Sequence, residues 1–410
     1  MNRLCSARPG KDIILSSGAA GRLIQAALST GFSEQVMSSF FVFRLSVCLA
    51  AMLGGAVVQG RAMATSPPAR LTVVRQSMQM TWNAVVVDAR GRYIVSSPRW
   101  TGYAGPTVAV IDAHGHLSPY PDASWNQWVP GMDAGRAFVS VNAIHQSADG
   151  DLWVVDTGSL TLGGRPVAGG PKIVRIDPRQ DRVRHIYRLP EAAIHGHTYI
   201  DDIRIHGHHA YLTDAGEGAL LVLDLDDGRV RRRFDGMAWV RSKPGDRIIV
   251  QGQVLNGADG RPLHVQVDPL ELSPDGRKLY FGPLTGPLSQ IETRWLDDDM
   301  LDDAALAQHV RPWFALPPSG GTAMAVDGSL YYTPLADGSL MRRAPDGRLS
   351  MLVRDRRLRW ADAPFLDGHG HIYLPVPQLD GAAVFHHGHA TVHWPVELYR
   401  LDLPDAGHPG

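Results

Sequence analysis

Six times along this chain a short apolar strand runs into a tight turn and a second apolar strand leaves it. The copies begin NAVVVDARGRYIVSS at Asn83, NAIHQSADGDLWVVDTG at Asn142, DDIRIHGHHAYLTDAG at Asp201, DPLELSPDGRKLYFGPL at Asp268, GGTAMAVDGSLYYTPL at Gly320 and DAPFLDGHGHIYLPV at Asp362. Their starts lie 59, 59, 67, 52 and 42 residues apart. Repeats at this period are units that bury their apolar faces only against one another. A third strand often ends hydrophobic-x-hydrophobic-Asp, as in Ile173 to Asp177 and Leu220 to Asp224, and a more polar fourth follows, as in Val183 to Leu189. Asp-Gly turns supply the positive φ of tight hairpins. The second strand of the Asn142 copy, LWVV at 152–155, is apolar at every position. A half-exposed hairpin would alternate, so both faces of this one must be covered. The pattern predicts an all-β six-bladed β-propeller with four-stranded antiparallel blades. Residues 71–80 are expected to close the ring as the outer strand of the last blade. The acidic insert Leu296 to Val310 is expected to form a short surface helix between blades four and five.

The first strand of a propeller blade lines the central channel, so its first residue lies near one mouth. Eight residues before the turn glycines Gly91, Gly150, Gly276 and Gly370 stand Asn83, Asn142, Asp268 and Asp362. Asp201 fills the same register in the third copy, because IDDIRIH aligns on VNAIHQS; only Gly320 breaks the series. Such residues also cap strands by bonding nearby backbone, and a water-filled channel would keep them apart. Converging carboxylates need relief, since two at about 5 Å and an effective dielectric near 20 repel by roughly 3 kcal/mol. A proton or a cation supplies it. Carboxylate and amide oxygens are the donors that Ca²⁺ or Mg²⁺ takes. Asn142, Asp201 and Asp268 are the candidate metal ligands, with Asn83 and Asp362 as ligand contacts. Strand alternation places Asp202 on the face opposite Asp201, as a base or a structural hydrogen-bonding group. Asp268 and Asp202 are the candidate catalytic groups that would activate water. Glu271, odd in parity to Asp268, is expected to face a neighbouring blade. His195 and His197 precede Asp201 closely enough to serve as base or ligand contact. The HGH runs at 114, 206 and 369 occupy positions where sister copies have Asp-Gly turns, so they read as turns.

Several classes are excluded. The only cysteines are Cys5 and Cys48, which leaves the repeats without a disulfide framework, a thiolate metal site or a cysteine nucleophile. There is no G-x-S-x-G, P-loop or dinucleotide fingerprint. Net charge is −1, so nothing points to nucleic acid or an anionic membrane surface. Residues 37–64 carry Arg44, an apolar run from Leu45 to Val58 and an A-x-A pattern at Ala62-Met63-Ala64. This reads as a secretory signal cut after Ala64, the run being short for a membrane span. An uncleaved anchor is the alternative, and Met37 is an alternative start. The expected organisation is an N-terminal extension and signal over 1–64 and a single propeller over 65–410. The product would be periplasmic or secreted and free of the membrane after cleavage.

The segments PYPDASWN (119–126), VNAIHQSADGDLWVVDTG (141–158), PKIVRIDPRQDRVRHIYRLP (171–190), IDDIRI with AYLTDAGEGALLVLDL (200–225) and LELSPDGRKLYFGPL (270–284) resemble a bacterial member of the major royal jelly protein/Yellow family. The resemblance runs over about residues 80–400 and implies a six-bladed, usually secreted propeller. Family functions are varied: dopachrome conversion, nutrition and binding of small amines. The resemblance also points to gluconolactonase/senescence marker propellers, which hydrolyse sugar lactones with a divalent cation held by one Glu and by Asn and Asp at blade starts. Asn142, Asp201 and Asp268 match three of those positions. Asn83 stands where that Glu would be, and Asp201 where Asn is usual. Two functions follow as expectations: a Ca²⁺-assisted lactonase-like hydrolase or a tautomerase, and a non-catalytic propeller holding a small molecule at the same mouth.

Overall fold

The computed structural model describes residues 70–403. The expected export signal and its cleavage after Ala64 lie outside the described residues. Six four-stranded antiparallel sheets follow one another along the chain, each ordered from inner to outer strand. Blade two is typical, with strands Val141–Gln146, Leu152–Asp156, Lys172–Asp177 and Arg182–Arg188. Blade six closes the ring: Thr72–Ser77 pairs antiparallel with Val396–Asp402, outside His371–Val376 and Phe365–Leu366. The closing strand is therefore the one expected from residues 71–80.

The core is divided into wedges, one between each pair of neighbouring blades. In blade two Trp153 and Val155 face the wedge shared with blade three, beside Leu212 and Leu221. Leu152 and Val154 face the wedge shared with blade one, beside Ile94 and Val108. This is why LWVV cannot alternate. Each such side chain gains about 1.5–3 kcal/mol from burial, and both faces of the strand collect it. The last wedge joins Tyr373 and Leu398 of blade six to Val85 and Val95 of blade one.

The acidic insert differs from expectation. It lies inside blade four, between Leu288–Glu292 and the outer strand Arg311–Phe314, as two short helices, Thr293–Asp297 and Asp303–Ala307. Leu296 and Leu306 drop into the wedge between blades three and four. The outer strand after the insert, RPWF, has only four residues and contains a Pro, so it carries no strand pattern of its own. A two-stranded hairpin, Ile249–Val250 with Gln253–Val254, leaves the connection between blades three and four. Its Ile248, Val250 and Leu255 pack with Leu284, Leu335, Trp360 and Leu379 around one end of the channel.

Candidate functional site

The six inner strands begin at the same end of the channel. Asn83, Asn142, Asp201, Asp268, Gly320 and Asp362 form a ring there, and all six border two cavities. One is the channel itself, about 230 Å³. The other is the mouth, about 350 Å³. The register argument from the turn glycines thus holds in space, Gly320 included.

A backbone irregularity sharpens the ring. In blade two Val141 pairs with Asp156 and Ile144 with Val154, so three steps on the inner strand meet two on its neighbour. The same bulge occurs at Ile200/Ile203, Val267/Leu270 and Ser319/Thr322. It falls on Asn142-Ala143, Asp201-Asp202, Asp268-Pro269 and Gly320-Gly321. A bulge adds one residue and re-aims the side chains beside it. Both members of each pair consequently face the channel. Asp202 is corrected on this point, because the bulge suspends the alternation that would have turned it away.

The ring is held by directed hydrogen bonds. Trp100 Nε1 donates to the Tyr199 hydroxyl (2.8 Å), which donates to Asn142 Oδ1 (2.9 Å). Asn142 Nδ2 then donates to Asp201 Oδ1 (2.9 Å), and Asn83 Nδ2 donates to Asn142 Oδ1 (3.2 Å). Trp360 Nε1 donates to Asp362 Oδ2 (3.0 Å), and the Ala363 amide to Asp362 Oδ1 (2.7 Å). The carboxylate of Asp268 receives no hydrogen bond from any described residue, and Asn83 Oδ1 is buried without a partner. Two carboxylates, each at the end of the second strand of its own blade, aim the ring segments. Asp156 accepts the Val139 and Ser140 amides and is neutralised by buried Lys172. Asp214 accepts the Tyr199 amide and the Thr198 hydroxyl and is neutralised by Arg232.

Burial raises the carboxyl pKa of Asp201, Asp268 and Asp362 well above the usual range. Mutual repulsion adds to it: Asp268 acts on Asp201, Asp362 on Asp268 and Asp201 on Asp362. Among the described residues no Lys or Arg lines the mouth. Its walls are Trp100, Tyr199, Trp360 and Phe385, with Trp100 and Phe385 edge to face at 6.1 Å. Burial, and the charge of Asp201 after it, push the Tyr199 phenol well up, so it stays protonated as a donor.

Deeper in the channel the chemistry changes. Arg204 Nη1 bonds both oxygens of Asp202 at 2.8 Å, while its Nε and Nη2 reach Glu271 at 3.2 and 3.1 Å. Thr322 donates to Glu271 from the next blade (2.8 Å). Glu271 therefore lines the channel and ties three blades together. His145 shares this space; burial, then Arg204, push its pKa well down. His197 borders the mouth, its Nδ1 2.7 Å from the Gly163 carbonyl. His195 does not: its Nδ1 lies 3.8 Å from Asp235 on the outer side of blade three. The HGH runs at 114, 206 and 369 stand at turns, with Gly115, Gly207 and Gly370 at positive φ.

The oxygens around the ring are of the hard type that Ca²⁺ takes. The partnerless Asn83 Oδ1 and the free Asp268 carboxylate fit such an ion. Among the described residues no three His, Cys, Asp or Glu side chains are grouped to hold a metal. A cation at the ring would therefore depend on the amide oxygens of Asn142 and Asn83 beside Asp201 and Asp268.

The aromatic wall was legible in part and went unread. Tyr199 and Trp360 each stand two residues before a ring aspartate, Asp201 and Asp362. Trp100 lies on a 3₁₀ turn, Arg99–Thr101, with no periodicity to mark it.

Comparison with known proteins gives one family. Residues 139–357 match the major royal jelly protein family. The chain is 26% identical over 228 residues to Protein yellow of Drosophila yakuba; the match takes in 51% of this chain and 40% of that protein, so it spans two fifths of the relative's length. Among solved structures, virginiamycin B lyase from Staphylococcus aureus superposes with a TM-score of 0.46 at 12% identity, over 82% of this chain and 99% of that one. A gluconolactonase from Xanthomonas campestris gives 0.46 at 16% identity, over 82% and 90%. The family match runs over more than half of the chain and through blades two to five, and the chain belongs to the major royal jelly protein/Yellow family.

Proposed function

We propose that this protein is an exported propeller that binds a small organic cation, an aromatic amine, at the channel mouth. One observation carries the reading. Three carboxylates, Asp201, Asp268 and Asp362, lie on the floor of a mouth walled by Trp100, Tyr199, Trp360 and Phe385, with no Lys or Arg among the described residues that line it. An ammonium group relieves the repulsion between the carboxylates, and aromatic faces attract a cation and cover an aromatic ring. A mouth of about 350 Å³ is at the lower end of the small-molecule range. Export rests on the signal read at residues 37–64.

Calorimetry of the purified protein with tyramine, beside its uncharged analogue 4-ethylphenol, tests this. Micromolar binding of tyramine, at least ten-fold weaker binding of the analogue and loss of tyramine binding in Asp201→Asn/Asp268→Asn are expected. Equal affinity for the two compounds would sink the amine reading.

The free Asn83 Oδ1 favours a second reading, in which Asn83, Asn142, Asp201 and Asp268 hold a divalent cation. Bound there, the ion would polarise a lactone carbonyl. Asp268, free of hydrogen bonds, is then the remaining base, because Asp202 is engaged by Arg204 on the channel side. Ca²⁺ titration in the absence of amine separates the readings: micromolar binding with lactone turnover supports the hydrolase, and tyramine binding unaffected by millimolar Ca²⁺ counts against it.

A further inference from the structure

A second cleft opens on the same end of the propeller, beside blade six, with a volume of about 400 Å³. It shares no lining residue with the mouth. Arg359 faces the cleft and Trp360 the mouth; Gln378 faces the cleft and Leu379 the mouth. Single steps of backbone divide the two spaces.

Among the described residues this cleft keeps one charge of each sign without an ion-pair partner. Arg357 pairs with Asp355 at 2.6 Å and Arg359 with Asp380 at 2.7 Å. Arg356 is exposed and forms no ion pair with any described residue. Glu397 lines the same cleft and forms none either. Arg357 is close enough to feel its charge, but the hydrogen bonds of that guanidinium go to Asp355. Instead Gln76 donates to one Glu397 oxygen (2.8 Å) and the Tyr399 hydroxyl to the other. A carboxylate has about four acceptor sites, so these two donors leave the rest open. Trp394 leaves 41% of its surface exposed in the same cleft.

These three residues are held in place by their neighbours. Gln251 and Gln378 have φ of 47° and 53°, the left-handed region that side-chain-bearing residues avoid. Each uses its amide as a clasp. Gln251 Nε2 donates to the Arg356 carbonyl at 3.0 Å. Gln378 takes both the carbonyl and the amide of His393, at 2.8 and 2.9 Å, directly before Trp394. Gln76 and Tyr399 do the same for the Glu397 carboxylate, one donor to each oxygen. Backbone outliers that persist in a structure cluster at binding sites, where they preorganise contacts.

We propose that this cleft binds a zwitterion with an apolar body, an apolar amino acid or dipeptide with free amino and carboxylate ends. The forked guanidinium of Arg356 takes the carboxylate in two-point geometry. The open acceptor sites of Glu397 take the ammonium. The exposed indole of Trp394 covers the apolar side chain. A ligand of one sign would satisfy one of the two charges and be repelled by the other; a ligand carrying both satisfies both. The site is independent of what the mouth binds.

The test is calorimetric titration of the purified protein with leucine and leucyl-leucine, beside N-acetyl-leucyl-leucine, which lacks the ammonium, and leucyl-leucinamide, which lacks the carboxylate. The same titrations in Asp201→Asn/Asp268→Asn tell apart an ammonium held at the mouth. At least one of the two zwitterions is expected to bind, and leucyl-leucine at least ten-fold more tightly than either blocked form. Arg356→Gln, Glu397→Gln and Trp394→Ala are each expected to weaken zwitterion binding ten-fold or more, with the melting temperature of Arg356→Gln unchanged, and Trp394→Phe to restore most of the affinity. Arg356→Gln should leave the affinity for leucyl-leucinamide as it was, and Glu397→Gln that for N-acetyl-leucyl-leucine. Absence of binding of both zwitterions to the parent, equal affinity for a blocked form, or unchanged zwitterion affinity in Arg356→Gln or Glu397→Gln would overturn the proposal.

Discussion

Trp100 has an indole N–H that donates and never accepts, and that fact orders the ring. Its bond to Tyr199 obliges the phenol to donate onward to Asn142, so the Asn142 amide turns its NH₂ to Asp201. Asp268, at the far side, has no such donor. Its carboxyl pKa is raised in the folded state, first by burial and then by Asp362. The native protein therefore holds its proton more tightly than the unfolded chain does. Stability from this group is complete below the unfolded carboxyl pKa and declines as pH rises through the higher folded value. Asp268→Asn removes that loss. In EDTA at pH 7 the variant should gain about 1–3 kcal/mol, a rise of a few degrees in melting temperature by calorimetry, with the gain vanishing near pH 3. Tyramine affinity should tighten in the parent over the same pH rise, as the ring carboxylates ionise. Lys172 makes the opposite case. It is one of the chain's few lysines and is fully buried, with its Nζ against Asp156 and the Gly170 carbonyl (3.0 Å). Lys172→Met leaves Asp156 charged and unpaired in the core, and should cost about 3–5 kcal/mol in a denaturant titration. Read from the sequence, Lys172 opens an ordinary third strand; its ion-pair partner lies 16 residues away on the neighbouring strand, which no local pattern announces.

At the scale of the strand, the turn glycines were a sufficient ruler. Type and spacing of the hairpins put Asn83, Asn142, Asp201, Asp268 and Asp362 at one end of the channel, and the ring assembled there. The bulge was beyond the ruler's reach. Period two in side-chain direction follows from a regular ladder, and an extra residue on one strand leaves no mark in an Asx-containing stretch. It governs chemistry all the same. With the bulge, Asp202 meets Arg204 and Glu271 inside the channel, and adjacent side chains serve two different spaces. Deleting Ala143 would restore regular pairing between Val141–Gln146 and Leu152–Asp156. Blade two would keep its hairpin, because Gly150 and its turn are untouched. Asn142 would lose its aim at Asp201 and Tyr199. The variant should remain folded by circular dichroism, lose about 1–3 kcal/mol of stability, and bind tyramine at least ten-fold more weakly. An unchanged tyramine affinity would mean that Asn142 has no part in holding the amine.

For the whole molecule, the ring of blades is closed by six residues from the start of the described chain. Three of the six residues of Thr72–Ser77 are exposed and only Val74 packs against the wedge between blades six and one, so the strand contributes little apolar burial of its own. Its contribution is the ladder to Val396–Asp402 and the covalent tie that follows, through buried Met80 and Trp82, into blade one. The ladder joins residues some 320 apart in sequence, as between Gln76 and Glu397. Closure of this kind was legible in the sequence because six inner-strand repeats leave blade six one outer strand short, and LTVVRQSMQM was the apolar segment left over. Removing residues 70–77 would strip that strand while leaving the six wedges with most of their side chains. Two consequences follow. The wedge between blades six and one loses its tether, so the cooperative thermal transition should fall by more than 10 °C and broaden in scanning calorimetry. The backbone of Val396–Asp402 becomes an open edge, the kind of edge that recruits another chain. Size-exclusion chromatography should then find concentration-dependent oligomers that the intact chain does not form. A synthetic peptide of residues 70–78 should return both the sharp transition and the smaller species, since the edge it refills is already shaped by its neighbours. A truncated protein that stayed at the intact chain's size and melted at its temperature would show that the wedges alone hold the ring, and that the closing strand is dispensable.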